Sequence, residues 1–247
     1  MLLQVLKRSE RLKLRADSAL DNPHIPCYTH NMTKAEIRRQ IKEILADPTT
    51  SATLHSQSRT ICQNILHSQR YISCTTLLAY MPLPDEVDIS PVITEALRAG
   101  KKVYLPRIIP DTNLMEFYRC TSTDETQSGS FGIKEPAENQ SQSFSKVIED
   151  MSINEYAPAP HSSTLVELKE EFPAKEHILV LVPGRAFTKD GKRIGRGKGF
   201  YDLYLSKIPL IFDIKKAGVC FSQQLLADLP TTPDDVIMDY IFSAADN

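Results

Sequence analysis

The apolar residues Ile37, Ile41, Ile44 and Leu45 recur three and four apart behind the capping box Thr33-Lys34-Ala35-Glu36. This predicts a first helix that ends at Asp47-Pro48. Leu54, Ile61, Ile65 and Leu66 repeat the period and predict a second helix from Leu54 to Gln69. The pattern then changes. Thr76 to Tyr80 is a short apolar strand, and Pro82 and Pro84 force an extended exit into Asp85-Glu86-Val87-Asp88. A helix from Ser90 to Ala99 stops at Gly100, and Lys102 to Leu105 is the next strand. Strand, helix, strand is the signature of an α/β fold.

Met115 to Tyr118 predicts another short strand. From Ala137 to His177 the chain is rich in Ser, Glu, Pro and Asn with little periodicity, and is read as a long surface insertion. Ile178 to Val182 is a continuous apolar run, the mark of a strand covered on both faces. Gly199 to Ser206 predicts a helix with Leu203 and Tyr204 or Leu205 inward, and Ala217 to Phe221 a last central strand. The tail Pro230 to Asp239 carries Asp234, Asp235 and Asp239, and no repeat of solenoid period is present.

Between the buried run and the following helix lies the most informative stretch, Leu181 to Asp202. Gly195, Gly197 and Gly199 are interleaved with Arg196 and Lys198, and Phe200, Tyr201 and Asp202 follow. Glycines let backbone N–H groups approach an anion and the cations neutralise it, so the segment reads as a polyphosphate cradle. Asp202 stands where a carboxylate could hold magnesium. The spacing is neither G-x-x-x-x-G-K-[ST] nor G-x-G-x-x-G, which excludes the standard nucleotide motifs. A flexible basic hairpin tip is the plainer alternative; the position after a buried strand, where α/β proteins bind ligands, favours function. Lys34 and Arg38, four apart near the start of the first helix, share one side and could reach a phosphate, or form an ordinary solvated face.

Composition narrows the partners. The 247 residues are 41% hydrophobic and carry a net charge of -2, which suits one compact domain with no global attraction to nucleic acid or an anionic membrane. Five scattered cysteines without C-x-x-C spacing suggest a reducing, cytoplasmic setting. No apolar run approaches the roughly 20 residues of a membrane span. Residues 1–32 alternate Lys7, Arg8, Arg11, Lys13 and Arg15 with leucines, as a targeting presequence does, but Glu10, Asp17 and Asp21 count against that role. They are read as an extension outside the folded domain of residues 33–247, with Met32 as an alternative first residue and organellar targeting as the second reading.

These motifs together resemble the 5-formyltetrahydrofolate cyclo-ligase (5,10-methenyltetrahydrofolate synthetase) family. The resemblance rests on Pro183-Gly184 through Asp202, Lys34-x-x-x-Arg38, Tyr80-Met81-Pro82 with Glu86-Val87-Asp88, Gly100-Lys101, Leu105-Pro106-Arg107, and Phe131-Gly132-Ile133 with Glu135-Pro136, in family order from about residue 33 onward. It implies a single α/β domain with a mixed, mostly parallel sheet flanked by helices, of the NagB/RpiA/CoA-transferase-like kind. The implied reaction is the ATP- and Mg2+-dependent cyclisation of 5-formyltetrahydrofolate, including polyglutamylated forms, to 5,10-methenyltetrahydrofolate, by a monomer that binds neither nucleic acid nor membrane.

Carried over by position, the resemblance implies that Lys34, Arg38 and the loop Arg193, Ile194, Gly195, Arg196, Gly197, Lys198, Gly199, Phe200 and Tyr201 bind ATP. Arg196 and Lys198 would lie nearest the transferred phosphoryl. Asp202 and Asp235 would hold the metal, Asp235 with Asp239 repeating the family's Asp-x-x-x-Asp spacing. Met81, Glu86 and Tyr201 would contact the folate, and Arg107 is a candidate charge or a structural pair. Phe200 stands where the family usually has tyrosine, and the 137–177 stretch is longer than usual. Two other readings remain open: an ATP-dependent paralogue acting on another pterin or formyl compound, and a nucleic-acid-binding loop using Lys189, Lys192, Arg193, Arg196 and Lys198.

Overall fold

The computed structural model describes residues 32–122, 126–129, 134–136, 143–148, 177–208 and 213–244. The N-terminal extension, Phe131-Gly132-Ile133 and most of the 137–177 stretch lie outside the described residues.

Helix α1 (Lys34–Ala46) starts where its capping box places it: the Thr33 hydroxyl accepts from the Glu36 N–H and the Glu36 carboxylate accepts from the Thr33 N–H. Its periodic positions Ile37, Ile41 and Leu45 are buried. Helix α2 (Pro48–His67) begins six residues before the predicted Leu54. The physical reason is that Pro48, which ends α1, is also well suited to the first turn of a helix, and the Asp47 carboxylate caps the Thr49 and Thr50 N–H groups. The short α3 (Gln69–Ser73) leads into β1 (Thr76–Leu78). Helix α4 (Ser90–Arg98) ends at Gly100, whose φ of 73° is the left-handed conformation expected of a helix stop.

Strands β2 (Lys102–Ile108) and β3 (Met115–Cys120) run longer than the apolar pattern indicated, because their outer residues pair with each other rather than with the core. Two short strands, β4 (Gln127–Ser128) and β5 (Lys134–Glu135), pair apart from the main sheet. They precede β6 (His177–Pro183), the hairpin β7 (Ala186–Phe187) and β8 (Arg193–Ile194), helix α5 (Phe200–Leu205), β9 (Asp213–Val219) and β10 (Tyr240–Phe242). The main sheet has the order β10-β9-β6-β1-β2-β3, with every pair parallel except β2–β3. The expected mixed, mostly parallel sheet is therefore present. The strand predicted as the last, β9, is followed by β10, whose three residues were too few to register as a period.

Alternation along the strands divides the core in two. Leu77, Val103, Leu105, Leu179, Leu181, Ala217 and Val219 pack with α1 to α4 on one face. Leu78, Tyr104, Ile178, Val180 and Val182 pack with Phe117, Tyr204, Leu205 and Ile241 on the other. Each fully buried aliphatic side chain contributes about 1.5–3 kcal/mol, so a continuous apolar run is what a strand between two such layers requires. Two expectations need correction here. Leu203 is exposed while Tyr204 and Leu205 point inward. Within the stretch read as a surface insertion, Phe144 and Ile148 are buried in the core, Phe144 edge-on against Tyr104, while Lys146 between them is exposed.

Strand order reverses beside β1. The chain passes from β1 to β2 on one side and later returns through β6 on the other. In parallel α/β sheets the ends of strands at such a reversal leave a crevice, and ligands bind there.

Candidate active site

A cleft of about 820 Å³ opens at that reversal. The segment after β1 supplies Tyr80, Met81, Leu83, Pro84, Asp85 and Glu86, and the end of β6 supplies Pro183 and Gly184. Pro106 and Ile108 from β2 and Met115 from β3 form an apolar wall, while α1 contributes Lys34 and Arg38. The loop from Arg193 to Asp202 closes the other side together with Asp235. Every residue named from the sequence as a candidate for nucleotide, folate or metal thus lines one cavity. Arg107 does not: its guanidinium donates to the Pro136 carbonyl at 3.0 Å.

The β7–β8 hairpin turns at Thr188–Lys192 and delivers Arg193 and Ile194 to the cleft floor. The loop then passes through Gly197 at φ 101° and Gly199 at φ 71°, conformations that a side chain strains. A Cβ on Gly197 would also stand 3.4 Å from the Arg38 guanidinium carbon. The positive φ angles are what favour glycine at both positions, and Gly197 lies within ordinary contact distance of Arg38 on α1. Arg38 secures that approach by donating from Nε to the Gly195 carbonyl at 2.8 Å.

The cations of the cleft differ in how they are held. Arg193 is buried, donating to Asp202 at 2.8 Å and to the Pro183 carbonyl at 3.2 Å, with its guanidinium carbon 5.7 Å from the Tyr201 ring centre. Its Nε is buried without a partner among the described residues. Lys34 donates to both Asp235 oxygens, at 2.7 and 2.5 Å. Arg196 donates from Nε to Glu86 at 2.9 Å and from Nη2 to Asp85. Lys198 is exposed and makes no hydrogen bond or ion pair with the described residues.

The carboxylates are held in turn. Asp202 also accepts from the Val236 N–H at 3.2 Å, and Glu86 from the Leu83 N–H at 3.1 Å. Burial pushes the Asp235 carboxyl up, but hydrogen bonds from Lys34 and the Thr232 N–H outweigh it and hold the group below the usual range. Asp85 behaves the same way: burial raises it, and hydrogen bonds from Arg196 and Arg185 more than compensate. Burial, reinforced by Glu86, pushes the Tyr201 hydroxyl above the ordinary tyrosine range, so it stays protonated. Asp202 and Asp235 together are a hard oxygen donor set of the kind magnesium accepts while keeping several waters.

Phe200 lines the cleft and packs against the apolar cluster on the α5 face of the sheet, a role its ring fills without a hydroxyl. Of the loop cations that a nucleic-acid surface would need, Lys192 is paired with Asp228, Arg193 with Asp202, and Arg196 with Asp85 and Glu86. Arg193 is buried and these three are paired with carboxylates, while Lys189 and Lys198 are exposed, so the five do not form a continuous free basic stripe.

The family model of the 5-formyltetrahydrofolate cyclo-ligase family matches residues 30–153 and 149–244. The chain belongs to that family. It is 25% identical to mouse 5-formyltetrahydrofolate cyclo-ligase over 219 residues, covering 86% of this chain and 94% of the relative. Identity to the Saccharomyces cerevisiae cyclo-ligase is 27% over 219 residues, covering 85% and 94%. Among solved structures, Aquifex aeolicus 5,10-methenyltetrahydrofolate synthetase superposes with a TM-score of 0.62 at 24% identity, covering 87% of this chain and 91% of that one. The Mycoplasma pneumoniae synthetase gives 0.57 at 21% identity, covering 85% and 98%. At these identities the structural likeness establishes the shared fold.

Sequence reasoning quoted Pro106 and Glu135 within motifs but assigned them no part in the site, and it missed Ile108, Met115 and the pair Asp85 and Arg185. Arg185 directly follows the flagged Pro183-Gly184, and Asp85 directly precedes the flagged Glu86. An acid and a base adjoining two candidate residues was the available signal, but nothing local shows that they meet.

Proposed function

We propose that the protein catalyses the ATP- and Mg2+-dependent cyclisation of 5-formyltetrahydrofolate to 5,10-methenyltetrahydrofolate, releasing ADP and phosphate. The observation that carries this reading is the cleft itself, in which a wall of cations from α1 and the glycine loop faces an apolar wall from β2, β3 and the segment after β1. Such a site suits a polyphosphate beside a flat, largely apolar ring system. In the first step the formyl oxygen attacks the γ-phosphorus and the bond to the β-phosphate oxygen breaks, so ADP leaves. N10 then attacks the activated formyl carbon, the carbon–oxygen bond breaks with the phosphate as leaving group, and the N10 proton is lost.

The protein's part is to position the reactants and neutralise charge. Lys34 and Arg38 would meet the nucleotide phosphates, and Arg196 and Lys198 the transferred group. Lys198 suits this role because no carboxylate among the described residues engages it. Arg193 would act mainly from beneath, holding Asp202 and the Tyr201 ring. Asp202 and Asp235 would hold magnesium, which supplies charge neutralisation at the phosphates. Glu86, Met81 and Tyr201 would receive the pterin.

The proposal includes a monomeric, cytoplasmic enzyme acting on mono- or polyglutamylated folate. The test is to mix purified protein with 5-formyltetrahydrofolate, ATP and magnesium and follow the absorbance of methenyltetrahydrofolate. Folded protein that forms no product would sink the proposal.

A further inference from the structure

Arg196 is gripped along one edge of its guanidinium, Nε by Glu86 and Nη2 by Asp85, which leaves Nη1 without a protein partner among the described residues. Asp85 is itself held from behind, because the Arg185 Nη1 donates to its other oxygen at 2.5 Å. Arg185 is largely buried at the start of the β7–β8 hairpin, its N–H donating to the Ile194 carbonyl at 2.7 Å and its carbonyl accepting from Gln224 at 3.2 Å. The chain of contacts runs from a buried arginine through one carboxylate to the exposed arginine of the glycine loop.

The geometry points to Asp85, fixed by Arg185, as the positioning residue that aims Arg196 into the cleft. This rests on the proposed function. There, Glu86 is needed by the pterin, and its two oxygens already serve Arg196 and the Leu83 N–H. When substrate takes Glu86, Asp85 is the carboxylate that still holds Arg196. A free arginine side chain samples many rotamers, and fixing one edge keeps the planar fork oriented while the opposite edge meets the phosphoryl oxygens. Arg185 draws charge from Asp85, so that Asp85 orients Arg196 without fully neutralising it. Asp85 touches neither substrate in this scheme and acts only through Arg196.

Two readouts test the relay. In ligand-free protein, trypsin cleavage at Arg196–Gly197, followed by mass spectrometry, requires Arg196 to leave its carboxylates. Asp85→Asn is expected to accelerate it by about tenfold, measured well below the melting temperature of each protein so that global unfolding does not contribute. In turnover, the same variant is expected to lose about 10- to 100-fold in kcat, with KM for 5-formyltetrahydrofolate within about threefold because Glu86 remains.

Arg185→Met should give a smaller loss in the same direction. The double variant should be no worse than Asp85→Asn, since members of one relay are not additive. Unchanged cleavage, unchanged or higher kcat, or additive losses in the double variant would each overturn the inference. If the wild type itself forms no product, the proposed activity falls, and the cleavage comparison alone decides the relay.

Discussion

The two walls of the cleft are built on different principles. The apolar wall consists of Pro106, Ile108 and Met115 at the ends of paired strands, and Met81 and Leu83 on the segment leaving β1. The sheet determines its shape. The charged wall lies on α1 and a glycine loop, and its order comes from ion pairs: Lys34 with Asp235, Arg193 with Asp202, and Arg196 with Asp85 and Glu86. A loop carrying several cations would repel itself if they were free, and the intervening carboxylates arrange them. Lys198 is the contrast within the contrast, a cation on that wall that no described carboxylate engages.

The comparison breaks most sharply at Lys198. Lys198→Ala is expected to lower kcat by about 10²- to 10³-fold, the effect of removing one charge donor from a transition state, with the melting temperature unchanged. A wild-type rate would remove that lysine from the chemistry. Arg193→Ala attacks the order of the wall instead. It leaves Asp202 uncompensated beside the core, and a loss of about 3 kcal/mol in urea denaturation is expected. Stability within 1 kcal/mol of wild type would show that Asp202 does not need this partner.

On the apolar wall the effect should fall on affinity. Met81→Ala is expected to raise KM for 5-formyltetrahydrofolate about tenfold, equivalent to about 1.4 kcal/mol of lost contact, with KM for ATP little changed. Equal changes in both would mean that the two walls do not divide the substrates. The smallest effect concerns acid. Asp235 and Asp85 have folded pKa values below their ordinary ones. Unfolding therefore takes up protons in this range. Their contribution is complete above the unfolded value near about 4 and is lost as pH falls through the lower folded values. The melting temperature should decline below about pH 4, less steeply in Asp235→Asn; an identical acid limb in that variant would dismiss the Lys34 pair as a stabilising contact.

Much of this was legible beforehand because it is local. The capping box places the start of α1, glycine spacing marks the loop, and an uninterrupted apolar run marks β6 as buried on both faces. Where local signals serve two purposes the reading slipped, as at Pro48, which both ends one helix and opens the next. Phe144 was hidden for a different reason. Its polar neighbours read as surface, and only the packing against Tyr104 shows that the segment returns to the core. Strand β10 was too short to carry a period.

The sequence by itself determined the types of the main elements, the glycine spacing and positive charge of the loop and, through motif resemblance, the family. These depend on backbone conformation and on patterns within a few residues. Tertiary structure alone decided that Arg196 meets Asp85 and Glu86 from more than a hundred residues away, that Lys34 meets Asp235, and that β2 and β3 supply the opposite wall. Charge pairing is set by distance in space. Which of many acids and bases become neighbours follows from the order of strands in the sheet, and that order is encoded in the packing of the whole chain rather than in any one segment.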